Sequence, residues 1–411
     1  MIASKSHAAL VAWIPLALLL PHAAIRAAEP ITLEVSAGEH DRQGTPIAWE
    51  LPESLQGEAR FALSRLDDGR SIPVQFEPGE PGRVWWLLEE RLPAGRSRRY
   101  RLQPAKAAPP GRGVEVHDDG KALVVRIGDR PVLQYHAAVV PSPDPKAPYF
   151  ERSGFIHPIW DSAGRVLTDG MPPDHLHQHG VMFAWVDTTF QGRKVDFWNS
   201  AKQQGKVEHV RAISRTEGPV FGRFEVELRH VATVPPESPQ AALDETWRIR
   251  VYNLKNDYLF DIESTQRCAT PEPLRINQYH YGGMAIRGHR GWNVKDGGDF
   301  LTSEGRTRAD GNHTRPRWCD INGPVDGAVA GVTVLDHPDN FRHPQPVRLH
   351  PSMPYFCFAP MVLGDFTIEP GRPYRSRYRY YVHPDRLDPA EAERHWVDFA
   401  QPPRVRVIGR P

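Results

Sequence analysis

Cysteine is scarce in this 411-residue chain, whose three thiols are Cys268, Cys319 and Cys357. They are too few and too scattered for a disulfide framework, and none has zinc-finger spacing. An excess of charge of one sign is also missing. With 51 basic against 50 acidic residues the formal net charge is +1, which excludes the electrostatic footprint of a nucleic-acid or anionic-membrane binder and leaves small neutral ligands as the best fit. Membrane-spanning apolar runs are lacking too. The N-terminal run from Ala8 to Leu20 contains Pro15 and is shorter than the roughly 20 residues that a span needs. Lys5 before it and Ala23, Ala24, Ala27 and Ala28 after it give the layout of a cleaved secretory signal peptide. Residues 1–28 are therefore expected to be removed, leaving a secreted or periplasmic protein with no stable membrane anchor.

Helical periodicity is rare, and the 41 prolines and 33 glycines favour many short strands joined by turns. Phe224, Val226 and Leu228 form one apolar strand face, and a turn at Gly218 to Gly222 should pair it with Val210 to Ser214. Glu245, Trp247, Ile249 and Val251 form a second such face, and Val124 to Ile127, Val332 to Leu335 and Tyr378 to Val382 read similarly. One helix is expected near the end, with Asp388 as cap, Pro389 in first position, Glu391 completing a capping box and Pro402 as stop. The length suits two units: a small β-sandwich at 29–103, a Pro/Gly-rich linker at 104–113 and a larger β domain at 114–411. The fold class is all-β with few helices.

Chemistry concentrates between Glu151 and Asn199, which holds His157, Asp174, His175, His177 and His179 together with Trp160, Trp185 and Trp198. If Asp174 to Gly180 is extended, alternation points His175, His177 and His179 to one side, where the apolar strand Val181 to Val186 enters the core. Such a wall could hold a divalent metal ion, since imidazole suits zinc, copper, iron or nickel. Further polar clusters lie at Asn277 to Gly288, with His280, Tyr281 and Arg287, at Arg315 to Gly323, with Arg317, and at Leu335 to Pro346, with His337 and Asn340. The acid candidates are Asp174, Glu245, Asp261 and Glu263. Glu245 stands out because it shares a strand face with Trp247 and Ile249, where burial would raise its pKa. His209, His230 and His395 are isolated and are assigned no role, and Trp247 reads as core.

The segments GFIHPI from Gly154, PPDHLHQHGVMFAW from Pro172, DFWN from Asp196, YHYGGMAIRG from Tyr279, RWCDING from Arg317 and DHPDNFRHP from Asp336 together resemble the bacterial family often labelled methane oxygenase PmoA. The label names a multi-helical membrane assembly, whereas the pattern here is β. What the resemblance implies is a carbohydrate context in a β-supersandwich like that of galactose mutarotase-like proteins. The residues fit such a role, because aromatic faces suit the C–H faces of a sugar ring while His, Asp, Asn and Arg bond its hydroxyls. We therefore expect a carbohydrate-active enzyme, an epimerase, lyase or hydrolase acting on a small molecule or oligosaccharide. Its expected acid–base residues are His177, His179, His280 and Glu245. His157, Asp174, His175, Gln178, Trp185, Trp198, Tyr281, Arg287, Arg317, His337 and Asn340 would bind the substrate. The alternatives are a His-ligated metal oxygenase and a non-catalytic carbohydrate-binding protein. His157, His175, His177, His179, His280 and His337 are expected to converge on one cleft, with Arg287, Arg317 and Asn340 at its wall.

Overall fold

The computed structural model describes Met1 and residues 29–106 and 113–409. The signal-peptide expectation and the middle of the linker therefore lie outside the described residues. Short alternating runs form a small unit of two sheets. Strands Thr45–Glu50, Arg83–Leu88 and Val74–Glu77 make the smaller one. Five strands make the other, in the order Arg404–Gly409, Ile31–Ser36, Ser97–Pro104, Phe61–Arg65 and Ser71–Ile72. Leu33, Val35, Ile47, Val84, Trp86 and Leu102 fill the space between them. The last strand corrects the expectation that everything after residue 113 is one unit: Arg404–Gly409 returns to pair antiparallel with Ile31–Ser36.

The larger unit is a supersandwich of two eight-stranded antiparallel sheets. The first sheet contains Val114–Asp118, Ala122–Ile127, Arg130–His136, Phe155–Ile159, Val181–Ala184, Gly283–Arg287, Tyr355–Phe358 and Val347–Leu349. The second runs from Gly205–Thr216 through Phe221–Ala232, Gln240–Tyr252, Tyr258–Cys268, Tyr374–His383 and Ala328–Asp336 to Trp318–Val325 and Asp299–Thr302. Alternation explains the second sheet. Phe224, Val226, Leu228, Trp247 and Ile249 face inward and are fully buried, while Arg223, Glu225, Arg248 and Glu263 face out. The expected hairpin is present, with Ala212 opposite Val226 and Arg215 opposite Phe224. Residues of both sheets share one core that includes Tyr135, Phe155, Met182, Phe183, Trp185, Trp247 and Phe260.

The helix Pro389–Ala400 forms where expected. Asp388 accepts from Ala390 N at 2.9 Å, but Glu391 reaches Arg394 at 2.7 Å rather than closing the capping box. Asp398 of this helix accepts from Arg42 at 2.8 Å and from Thr45 at 2.7 Å, tying the helix to the small unit. Gln75 of the small unit in turn accepts from Val220 N and Phe221 N at 3.1 and 3.0 Å. No helix among the described residues is long and apolar enough to cross a membrane.

Candidate functional site

The histidine-rich stretch is folded differently from the alternating strand its spacing suggests. His175 N donates to Pro172 O and Gln178 N to His175 O, both at 2.9 Å, so two consecutive tight turns replace an extended segment. The rings of His175 and His177 meet edge to face, 5.4 Å apart. His179 instead enters the core: it is fully buried, its ring lies 4.9 Å from Phe155, and neither ring nitrogen makes a well-formed hydrogen bond. Gly180 fixes this inward turn. Its φ is +31°, and a Cβ there would lie 2.0 Å from Ile156 O, so only glycine lets the chain pass against the neighbouring strand. The three imidazoles therefore do not line one wall, which corrects the metal-ligand expectation for His175, His177 and His179. Among the described residues no three His, Cys, Asp or Glu side chains are grouped as ligands would be.

Arg287, on the strand Gly283–Arg287, holds the loop from beneath. It is 2% exposed, donating from Nη1 to Gln178 Oε1 at 2.8 Å and from Nη2 to both Asp174 oxygens at 3.2 Å. Burial pushes the Asp174 carboxyl up, but the Arg287 charge and hydrogen bonds outweigh it and hold the group below its ordinary value. Asp174 Oδ2 lies 3.8 Å from His175 Nδ1. His157, on Phe155–Ile159, pairs through Nδ1 with Thr168 Oγ1 at 3.0 Å, and burial drives its pKa to about 4. Burial, helped by the neighbouring His175, lowers His177 to about 4 as well. His350, whose ring is 6.2 Å from His175, is lowered to about 4 by burial and Arg348. At neutral pH these rings are uncharged, each offering one donor and one acceptor.

The aromatic side of the site adjoins these imidazoles. His350 touches Tyr355 at 6.3 Å between centroids, Tyr355 packs edge-on to Trp198 at 5.7 Å, and Trp198 packs edge-on to Tyr281 at 5.6 Å. Tyr279 and His280 continue the row, 5.1 and 4.8 Å from the Tyr281 ring. Asn199 donates to Tyr281 Oη at 3.0 Å and to Asp196 Oδ2 at 2.8 Å. Asp196 also receives Trp198 N, Asn199 N and Lys202 Nζ at 2.8 to 2.9 Å, and its charge is felt by His177. Trp198 and Tyr355 thus form a buried floor, with His175, His177, His350, Tyr279, Tyr281 and Asn199 half-buried around it.

Other expected residues lie elsewhere. Trp185 is a core residue, with no exposure and Nε1 donating to Gln266 at 2.7 Å. Glu245 is 1% exposed inside the sandwich, where His230 and Trp247 donate to it at 2.7 Å and Ser264 and Gln266 also bond it. Burial alone would raise its pKa, but the bonds from His230, Ser264 and Gln266 prevail and lower it, which reverses the shift expected from the sequence. A carboxylate with both oxygens occupied and no exposure is placed as a structural anchor, so its acid–base assignment is corrected. His230, read as isolated, is its partner. Asp261 is buried against Arg379 at 2.7 Å, and Glu263 lies on the outer face with Arg248. His337, Asn340 and Arg317 sit by the C-terminal helix: His337 packs on Phe399, Asn340 bonds Asp336, and Arg317 bonds Glu393. The six histidines therefore do not form one cleft. His157, His175, His177 and His179 cluster with Arg287 and Gln178, His280 joins them through the tyrosine row, and His337 is apart. Sequence reasoning missed His350, Tyr355, Asn199 and Asp196 as site residues. DFWN was a visible signal for the last two, whereas His350 looked like any lone histidine.

Two packed eight-stranded sheets carrying a histidine–tyrosine cluster at one edge define a β-supersandwich protein. The chain belongs to a family of unknown function (DUF6807), whose pattern matches residues 122–397. No curated protein matches it. Among solved structures it is similar to an alpha-mannosidase from Enterococcus faecalis, at 9% identity and TM-score 0.46, over 93% of this chain and 46% of that one. A protein of glycosyl hydrolase family 38 from Enterococcus faecalis gives 9% and 0.42, over 93% and 48%. A galactose mutarotase related enzyme from Lactobacillus acidophilus gives 10% and 0.26, over 66% and 97%. The chain spans about half the length of the two Enterococcus proteins. None of these alignments reaches the closeness at which a reaction would follow.

Proposed function

We propose that this protein is carbohydrate-active and binds a saccharide at the His175–His177–Tyr281 cluster, in the periplasm or outside the cell. One observation carries the reading: half-buried tyrosine rings over a Trp198 floor adjoin several uncharged imidazoles and the Asn199 amide. A sugar needs that pairing, an apolar platform for its C–H face and neutral donor–acceptor groups for its hydroxyls. Charged side chains would cost more to desolvate under a neutral ligand. The test is binding to a panel of mono- and oligosaccharides by wild type and Tyr281→Ala. Binding lost in the variant, with the melting temperature nearly unchanged, supports the reading, and binding that survives in the variant removes it.

A catalytic form of this reading is favoured by the Asp174–His175 pair. The Asp174 carboxylate lies 3.8 Å from an Nδ1 that has no hydrogen-bond partner, so closing that gap when substrate binds would orient the ring and leave Nε2 to accept a proton from a sugar hydroxyl or carbon, as catalytic hydrogen bonds are often long before substrate binds. His175→Gln should then reduce turnover of any converted sugar far more than it weakens the binding of that sugar. A converted sugar turned over equally by both proteins would confine the site to binding.

A further inference from the structure

Arg152 is 6% exposed, and neither its Nε nor its Nη2 has a partner. The other deeply buried arginines differ. Arg42 is paired with Asp398, Arg379 with Asp261, Arg250 with Glu77 and Arg287 with Asp174. The carboxylate whose charge reaches Arg152 is Glu245, but both Glu245 oxygens are taken by His230, Trp247, Ser264 and Gln266. Burial accordingly lowers the Arg152 pKa to about 10, with Glu245 and Tyr135 opposing. An unpaired guanidinium in the interior is strongly unfavourable, and arginine cannot escape the penalty by losing its proton at neutral pH. The fold that matched four other arginines with carboxylates has left this one without an anion.

Arg152 also lines a cleft together with Tyr149, Glu151, Phe197, Ser200, Gln203 and Lys206, and the exposed Glu151 carboxylate makes no hydrogen bond to it. Nε and Nη2 are shut off from solvent, and the residue as a whole lines the cleft. Lys206 adds a second cation at the rim, shared with Glu208 at 2.6 Å. Two residues of its wall, Phe197 and Ser200, are the chain neighbours of Trp198 and Asn199 in the cluster. The charge of Arg152 also reaches His177 and His179.

We infer that Arg152 receives the carboxylate of a sugar acid, which makes the ligand of this site a uronate-bearing saccharide. The inference rests on the saccharide reading above and adds the ligand's charge. A carboxylate on Nη1 supplies the missing counter-ion through a charge-assisted hydrogen bond, while the adjoining ring lies on the tyrosine row. A neutral hexose would leave the guanidinium unpaired.

The experiment is calorimetric titration at pH 7 of wild type, Arg152→Met and Tyr281→Ala with D-glucuronate and D-galacturonate, and with D-glucose and D-galactose as neutral counterparts. Wild type should bind a uronate at least about tenfold more tightly than its neutral counterpart, the scale of one hydrogen bond to a charged group. Arg152→Met should lose that preference, keep its affinity for the neutral sugar, and melt at the same or a higher temperature, because an unpaired buried charge has gone. Equal binding of acid and neutral sugars by wild type would overturn the inference and leave the saccharide reading standing. An Arg152→Met protein that melts far below wild type, or fails to fold, would also overturn it, since the guanidinium would then have a structural partner. Uronate binding lost in Arg152→Met but unaffected in Tyr281→Ala would sink the saccharide cluster and keep Arg152 as an acid receptor. No binding by any of the four sugars would overturn both.

Discussion

Replacing Glu245 by alanine tests whether the interior carboxylate is structural. Two oxygens there collect four donors: His230 Nε2 and Trp247 Nε1 at 2.7 Å, Ser264 Oγ at 2.5 Å and Gln266 Nε2 at 3.1 Å. Gln266 extends the network by accepting from Trp185 at 2.7 Å. Each hydrogen bond to a charged group contributes about 1.5–3 kcal/mol, and stranding one partner of a buried ionic set costs about 3–5 kcal/mol. Some donors will find each other after the change, so about 4 kcal/mol is expected for Glu245→Ala. That is a large part of the ~5–15 kcal/mol that holds a typical domain together. Glu245→Gln keeps the shape but turns one acceptor into a donor, and should lose about half as much. The assay is urea unfolding at pH 7 followed by tryptophan fluorescence. The sign of the pH effect is also fixed: a carboxyl whose folded pKa is depressed stabilises the fold above its unfolded value of 4.5, and that stability is lost as pH falls through the folded value. Glu245→Gln should therefore flatten the acid limb of the stability curve below pH 4.5. A Glu245→Ala protein within about 1 kcal/mol of wild type would refute the reasoning, because no buried donor would then depend on this carboxylate.

Three further outcomes follow from the same geometry. His179 packs on Phe155 and its ring nitrogens make no well-formed hydrogen bond, the His177 backbone being only a weak partner, so His179→Leu should keep or raise the melting temperature, whereas a fall of many degrees would reveal a strong partner for its ring. His157 and His177 are held near pKa 4 by burial, below the 6.5 of a free imidazole, so the unfolded chain binds protons first. Stability should therefore decline as pH drops from 6.5 towards 4, and a His157→Asn, His177→Asn double variant should decline less over that window in urea titrations. His337 lies by the C-terminal helix, so His337→Ala should lower the melting temperature through its lost contact with Phe399 without altering saccharide affinity, and a changed affinity would place it in the site after all.

Much of the fold was legible because burial follows side-chain alternation. The faces Phe224–Val226–Leu228 and Trp247–Ile249–Val251 are buried as their period demands, and the Asp388–Pro389 signal marks the helix start. The return of Arg404–Gly409 to pair with Ile31–Ser36 was not legible, because pairing between the two ends of a chain leaves no local mark. At the candidate site, the geometry of the Pro172–Gly180 stretch was misread. Its spacing fits a strand, but the turns at Pro172 and His175 interrupt it and Gly180 sends His179 inward. Glu245 was misjudged because its pKa is set by partners on the two neighbouring strands, His230 on one and Ser264 and Gln266 on the other, and not by burial alone. His350 is brought beside Tyr355 by the pairing of Val347–Leu349 with Tyr355–Phe358, which spacing along the chain does not disclose.

The most direct test of the central claim is a crystal of the protein soaked in a mixture of mono- and disaccharides that includes uronates. The account predicts a sugar ring seated over Tyr281 and Tyr279, with hydroxyls bonded to His177, His175 or Asn199 and a carboxylate directed at Arg152. An ordered sugar bound only by the His337–Arg317 region or by the small N-terminal unit, with the His177–Tyr281 cluster empty at the same concentration, would contradict it.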